Sequence, residues 1–355
     1  LTTGATPLYI PNVRRTDVTT LAPSLYSVAI GDPDNDGIPE FVSAGEPTSG
    51  KTYWNELSIY NKVSGVWDWN AMASNGITCN SAAIGDANND GQNEVVAGAS
   101  AGSNQVRMYN YSGGSWVETN IGNPGNVYSV AIGDANNDGQ NEVVAGAVGA
   151  ANNETKMYKN VSGGWAGYNI SEVGGTVWSV AIGDANNDGQ NEVVIGADGT
   201  VTNEVRMYNY SGGAWVETII SDVSGTVYSV AVGDANNDGQ NEIVIGTDSG
   251  TNKVRMYENV SGGWVETGIG NVSVNVNSVA IGEADNDGRK EIAIGTDSTS
   301  YEVRVYENVS GAWIETNISD NNTVYGIAVG DINGYGLNSI VAGGSDSSNK
   351  LIKVL

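Results

Sequence analysis

The chain has 355 residues, 41 of them acidic and 15 basic, for a net charge of −26; so acidic a chain argues against nucleic acid and against an anionic membrane surface as partners. Histidine is absent, which removes the commonest general base and the commonest transition-metal ligand, and the single cysteine, Cys79, allows no intramolecular disulfide. Hydrophobic residues make up 39% of the chain, enough for a core, yet no apolar run nears the roughly 20 residues of a bilayer span, and the start at Leu1 reads as a mature, processed chain.

Taken in order, the chain opens with a short strand at about 13–18 and then settles into one repeated unit. Residues 127–170 show it. An apolar strand (127–133) leads into a polar loop. A second strand (142–145), a third (155–158) and a fourth (165–170) follow, the last two joined by a turn at Ser162, Gly163 and Gly164. The loop, GDANNDGQNE, recurs word for word at 85–94, 133–142, 183–192 and 233–242, and more loosely at 31–40, 282–291 and 330–339. A fixed period of about 50 residues marks a repeat architecture. No stretch sustains a helical period. The chain is therefore predicted to be all-β: a single domain over 1–355, a seven-bladed β-propeller with four antiparallel strands per blade and blade loops starting near 31, 85, 133, 183, 233, 282 and 330. The last unit stops within its third strand, so the segment at 13–18 is expected to complete that blade and close the ring.

Trp67, Trp116, Trp165, Trp215, Trp264 and Trp313 open the fourth strands, and Tyr60, Tyr109, Tyr158, Tyr208, Tyr257 and Tyr306 sit in the third. Their periodicity reads as blade-on-blade packing. Arg107, Arg206, Arg255 and Arg304 are expected to face Glu118, Glu217, Glu266 and Glu315 as exposed cross-strand pairs. Tyr26, Tyr128, Trp178, Tyr228 and Tyr325 begin first strands; interblade packing is the expected role, and stacking on a sugar or peptide at the channel mouth the alternative. Blade one carries a longer excursion at 46–55, with Lys51, Tyr53 and Trp54.

The loop has a metal-binding logic. Side chains at positions 1, 3 and 5 can converge, a glycine at position 6 permits the returning turn, the carbonyl at position 7 can point inward, and a glutamate at position 9 can close the shell. The candidate sets are Asp32, Asp34, Asp36, Ile38 and Glu40; Asp86, Asn88, Asp90, Gln92 and Glu94; and Asp134, Asn136, Asp138, Gln140 and Glu142. Next come Asp184, Asn186, Asp188, Gln190 and Glu192; Asp234, Asn236, Asp238, Gln240 and Glu242; and Glu283, Asp285, Asp287, Arg289 and Glu291. The seventh loop keeps Asp331 and Asn333 but has Tyr335 and Ser339 where acids are needed, so it is expected to bind weakly or not at all. Oxygen donors alone select calcium, at about six sites, over zinc or copper; magnesium prefers fewer protein ligands. An EF-hand does not fit, because the closing acid stands at position 9 and strands flank the loop.

The loop after an apolar strand such as VYSVAIGD resembles the FG-GAP, or VCBS-type, repeat over roughly residues 13 to 355. That resemblance implies the calcium-binding β-propeller of integrin α-subunits and of many microbial surface and secreted proteins, with the loop residues above as ligands. The family holds adhesion modules, lectin-like modules and some polysaccharide lyases.

Ten Asn-x-Ser/Thr sequons stand at Asn110, Asn153, Asn160, Asn169, Asn209, Asn259, Asn271, Asn308, Asn317 and Asn321. Asn110, Asn160, Asn209, Asn259 and Asn308 recur at the turn between third and fourth strands, either as glycosylation sites or as plain turn residues. The expected function is non-enzymatic: an extracellular or cell-surface glycoprotein of adhesion or assembly, binding protein, carbohydrate or further copies of itself, with no nucleic acid and no membrane span. The alternative is a calcium-dependent polysaccharide lyase or a lectin-like carbohydrate-binding propeller.

Overall fold

The computed structural model describes residues 16–19, 24–47, 56–73, 76–100, 102, 104–148, 154–298, 300–318, 323–345 and 351–354. Strands are the only regular secondary structure among these residues; they are arranged as seven four-stranded antiparallel sheets, and no helix among them is long and apolar enough to cross a membrane. The expectation of a seven-bladed propeller needs correction to six blades. Six sheets are complete blades, each made of four strands consecutive in the chain. The remaining sheet is a composite. It takes Thr323–Asp331, Asn338–Ser345 and Leu351–Val354 from one end of the chain and Thr16–Thr19 from the other. The ring is thus six continuous blades and one closing sheet stitched from both ends. Of the N-terminal strand expected at about 13–18, residues 13–15 lie outside the described residues; among those described, the strand is Thr16–Thr19, antiparallel to Leu351–Val354 with Thr16 opposite Val354.

The six blades share one plan. Their innermost strands are Leu25–Gly31, Cys79–Gly85, Val127–Gly133, Val177–Gly183, Val227–Gly233 and Val276–Gly282. Each runs through its loop into a wholly buried second strand, such as Glu142–Ala147. A strand covered on both faces needs no apolar–polar alternation, and EVVAGA has none. The outermost strands, such as Ser115–Gly122, are largely exposed.

The hydrophobic cores lie between sheets rather than within them. Ile121, Met108 and Val106 of blade two, for example, pack with Val130, Val143 and Tyr158 of blade three, and Trp165 covers the cluster. The periodic tyrosines and tryptophans take the expected blade-on-blade role. Each innermost strand also reaches the next through a serine. Ser27, Ser81, Ser129, Ser179, Ser229 and Ser278 Oγ accept the backbone N–H of Ala82, Val130, Val180, Val230, Val279 and Ile327, at 3.0–3.2 Å. At the seam between closing sheet and blade one, Gly326 replaces the serine. A Cβ there would stand 2.8 Å from Ser27 Cα, so the backbones meet too closely for a side chain. Apolar contact takes over at this seam. Phe41, the only phenylalanine in the chain, stacks on Tyr60 (centroids 4.6 Å apart) and meets Trp67 edge-on, in a cluster with Val18, Leu25, Ile332 and Val354.

Candidate functional site

The polar loops between first and second strands lie side by side around one end of the ring, and each is shaped by its own acids. In the second loop, Asp86 Oδ1 and Oδ2 accept the N–H of Asp90 and Gly91, both at 3.0 Å; Asn88 Oδ1 accepts Asp90 N–H and Asp90 Oδ1 accepts Gln92 N–H. Gly91 sits at φ +87°, as the sequence required of position 6, and Asn89 at position 4 is left-handed too, at φ +64°. The same bonds recur from Asp184, Asn186 and Asp188, and from Asp234, Asn236 and Asp238. The first loop makes them from Asp32, Asp34 and Asp36. In the sixth, Glu283 Oε1 and Asp285 Oδ1 accept Asp287 N–H.

The glutamate at position 9 is buried in all six loops: Glu40, Glu94, Glu142, Glu192, Glu242 and Glu291 are each at most 3% exposed. One oxygen usually accepts the N–H of position 2, as Glu94 Oε2 does from Ala87 at 3.0 Å and Glu242 Oε2 from Ala235 at 2.9 Å. Position 2 of the first loop is Pro33, which has no N–H, and Glu40 Oε2 is left without a partner. Glu142 Oε1 and Glu291 Oε1 are also buried and unbonded. Burial, then the charges of Asp34, Asp36 and Asp32, pushes the Glu40 carboxyl up to about 9. Burial likewise raises Glu94, Glu142 and Glu242 to about 7 and Glu291 to about 8, with Asp90, Asp138, Asp238 and Asp285 adding to it. Desolvated carboxylates beside other carboxylates are short of positive charge. Among the described residues, three carboxylate oxygens gather within 4.8 Å of one another in three places: Asp32, Asp34 and Asp36; Glu283, Asp285 and Glu291; and Asp238, Glu242 and Glu258. The backbone at Ile38, Gln92, Gln140, Gln190, Gln240 and Arg289 follows position 6 in each loop, where a carbonyl ligand would come from. In the seventh loop Asp331 and Asn333 keep the turn, with Asp331 accepting N–H bonds from Asn333, Gly334 and Gly336, while Tyr335 is 80% exposed.

Two groups of residues at the site take parts that the sequence reading does not give them. The first is the asparagine at position 4. Asn137 Oδ1 accepts the N–H of Asn191 in the next blade at 2.7 Å, and its Nδ2 donates to the same residue's carbonyl at 2.9 Å. Asn191 Nδ2 in turn donates to the Asp134 carbonyl at 3.0 Å. Asn35, Asn89, Asn187, Asn237 and Asn286 grip Asn93, Asn141, Asn241, Lys290 and Asn338 in the same two-bond way. Six seams are latched like this; at the closing seam the positions hold Gly334 and Pro39, which offer neither the amide side chain nor the N–H. The second is the third-strand residue after each periodic tyrosine, which faces the loop. Asn110 Nδ2 donates to Glu94 Oε1 at 3.3 Å and Asn209 Nδ2 to Glu192 Oε1 at 3.2 Å. These two sequons therefore do not share a place with the others. Asn160, Asn259 and Asn308 stand one residue further on, where their Oδ1 accepts the turn N–H of Gly163, Gly262 and Gly311 at 2.8–2.9 Å. Asn169, Asn271 and Asn317 are exposed; Asn153 and Asn321 lie outside the described residues.

The expected Arg–Glu pairs form, with the glutamate side chains 31–42% exposed and the arginines more sheltered. The arginine side chains are 3–14% exposed, with Arg206–Glu217 and Arg304–Glu315 at 2.8 Å. The same glutamates accept the tyrosine hydroxyls, as Glu217 does from Tyr208 at 3.0 Å. At the other end of the ring Tyr26, Tyr128, Trp178, Tyr228 and Tyr325 line a cavity of about 450 Å³ at the channel mouth, with Asn80 and Asn277. They belong to no interblade core cluster and meet one another instead: Tyr128–Trp178 at 4.4 Å, Trp178–Tyr228 at 5.8 Å and Tyr26–Tyr325 at 5.7 Å. Of the excursion at 46–55, Glu46 accepts the Tyr26 hydroxyl at 2.6 Å; Lys51, Tyr53 and Trp54 lie outside the described residues.

A family model described as an FG-GAP-like repeat matches residues 86–145, 186–245 and 234–294. No match was found among curated proteins. Among solved structures the chain is similar to one titled "Crystal Structure of Mitotic Checkpoint Complex" (TM-score 0.61, 12% identity, 99% of this chain and 96% of that one). It is also similar to "Crystal structure of RRP9 WD40 repeats" (TM-score 0.62, 11% identity, 96% of each chain). At these identities the likeness is one of fold alone. Strand plan, loop chemistry and repeat match agree that this chain is a β-propeller that carries FG-GAP-like repeats.

Proposed function

We propose that the chain is a calcium-stabilised interaction propeller of the adhesion or assembly kind, working outside the cell and without catalysis. An FG-GAP repeat propeller suggests a protein-interaction or adhesion-type domain. The observation that carries the calcium reading is the orphaned, buried carboxylate oxygen, as at Glu40 Oε2 and Glu291 Oε1, beside further carboxylates in the same loop. A hard cation taking six to eight oxygens suits that donor set, and calcium suits it better than a thiophilic or imidazole-seeking metal. The acids at positions 1, 5 and 9, with the Asn or Asp at position 3, would hold the ion; it would supply the positive charge these carboxylates lack and tie first strand to second. The aromatic channel mouth is the surface proposed to meet a partner. The lectin-like alternative draws on a groove of about 720 Å³ between blades three and four, lined by Met157, Tyr168, Tyr210 and Trp215.

Thermal unfolding with calcium and with a chelator tests the metal; an unmoved Tm would sink it. Light scattering and electron microscopy with calcium present test assembly, and a strict monomer would exclude that form of the proposal. Release of unsaturated, ultraviolet-absorbing products from polyuronides would overturn the non-enzymatic reading.

A further inference from the structure

The residue after each third-strand tyrosine differs from blade to blade, and its chemistry decides the charge inside the adjoining loop. It is Asn61, Asn110, Lys159, Asn209, Glu258 and Glu307 in blades one to six. In blade five, Glu258 brings a third carboxylate within 4.8 Å of Asp238 and Glu242. In blade three the sign is reversed. The Lys159 ammonium is hydrogen-bonded to Asp138 Oδ2 and stands 3.6 Å from Glu142 Oε1, with the lysine side chain 22% exposed and the Glu142 side chain fully buried. Only three acids, Asp134, Asp138 and Glu142, belong to this loop, so the lysine leaves it the least negative of the six. Arg289 does not play the same part in blade six. Its side chain is 43% exposed and pairs with Asp287 and the buried Glu307, neither of which belongs to the converging set Glu283, Asp285 and Glu291.

We infer that Lys159 is the third loop's own cation, so that this loop closes without a divalent ion while the other five complete loops take one each. An ammonium lodged between the position-5 and position-9 carboxylates repels a divalent ion, occupies one oxygen it would need, Asp138 Oδ2, and crowds a second, Glu142 Oε1. The inference rests on the calcium reading above, and the two can fail separately.

The test counts bound ions by native mass spectrometry after calcium saturation and desalting, on the wild type, Lys159→Asn and Glu258→Lys. Asparagine is what blades two and four carry at the same place, so the first variant suits the fold. The expected counts are five for the wild type, one more for Lys159→Asn and one fewer for Glu258→Lys. Six ions in the wild type, or an unchanged count in Lys159→Asn, would overturn the inference and leave the calcium reading standing; no bound ion in any of the three would overturn both. Hydrogen exchange gives an independent readout. In chelator, residues 134–142 of the wild type should exchange more slowly than the otherwise matching 184–192, and Lys159→Asn should erase the difference; equal rates in the wild type would count against the inference.

Discussion

Replacing Asn137 separates the two things a position-4 asparagine does. Its side chain makes two bonds to the Asn191 backbone, at 2.7 and 2.9 Å, and its own backbone is held at φ +60°. Asn137→Gly keeps the left-handed backbone accessible and removes only the bonds. At about 1 kcal/mol per bond the loss is about 2 kcal/mol. Asn137→Ala removes the same bonds and places a β-carbon residue in the left-handed region, which adds about 1 kcal/mol. Unfolding entropy of about 2 cal/mol/K per residue over this chain turns these into Tm drops of about 3 and 4 °C. Both variants should be melted in chelator and in calcium, since the latch lies outside the loop's donor set and its loss should be alike in the two. A Tm within 1 °C of wild type for Asn137→Gly would show that the latch adds nothing over water, and an alanine variant as stable as the glycine variant would refute the backbone argument.

The closing seam offers the opposite experiment: Gly334→Asn with Pro39→Asn should install the missing latch and raise Tm by a few degrees, with the pair exceeding the sum of the single changes. Gly334 already has φ +69°, and a Cβ there meets Ile38 and Pro39 at an ordinary 3.7 Å. Additive or destabilising behaviour of the pair would count against the latch. Gly122, whose Cβ would fall 2.2 Å from the Tyr158 ring of the next blade, should not tolerate valine, with a loss of about 1–3 kcal/mol by denaturant melt; a neutral result would show that the blades can part there. The pH dependence follows from the buried glutamates. Their folded-state values, about 7 for Glu94, Glu142 and Glu242, about 8 for Glu291 and about 9 for Glu40, lie above the ordinary 4.5, so the folded chain holds protons the unfolded chain has released. In chelator, stability should therefore fall as pH rises from about 4.5 through 7–9, and calcium should flatten the slope. A chelated Tm that climbs between pH 5 and pH 8 would refute it.

Much of this fold is written locally and was readable. Strands expected at 127–133 and from 142 match Val127–Gly133 and Glu142–Ala147, because apolar runs bounded by Gly and Asn leave little choice. The loop acids converge as their spacing implies. What escaped was contact between residues about fifty positions apart. Asn137 and Ser129 each have a sufficient local excuse, a turn residue and a small strand residue, so their bonds to the next blade leave no separate trace. The turn sequons mislead for a related reason. Asn110 and Asn160 share a motif, and their hairpins are equal in length, but Asn110 stands directly after its tyrosine, at the place Lys159 holds in blade three, which puts it on Glu94 rather than on the turn.

The bare seam has a consequence for how the molecule is made. A two-bond amide grip works only when both backbones are already in register, and between consecutive blades the short intervening chain helps bring them there. The closing sheet must find blade one after the whole length between them has been laid down, with its fourth strand recruited from the far terminus. Aromatic and aliphatic surfaces such as Phe41, Tyr60 and Leu25 attract over a range of offsets. Directional bonds thus join neighbours in the chain, and a tolerant contact joins strangers.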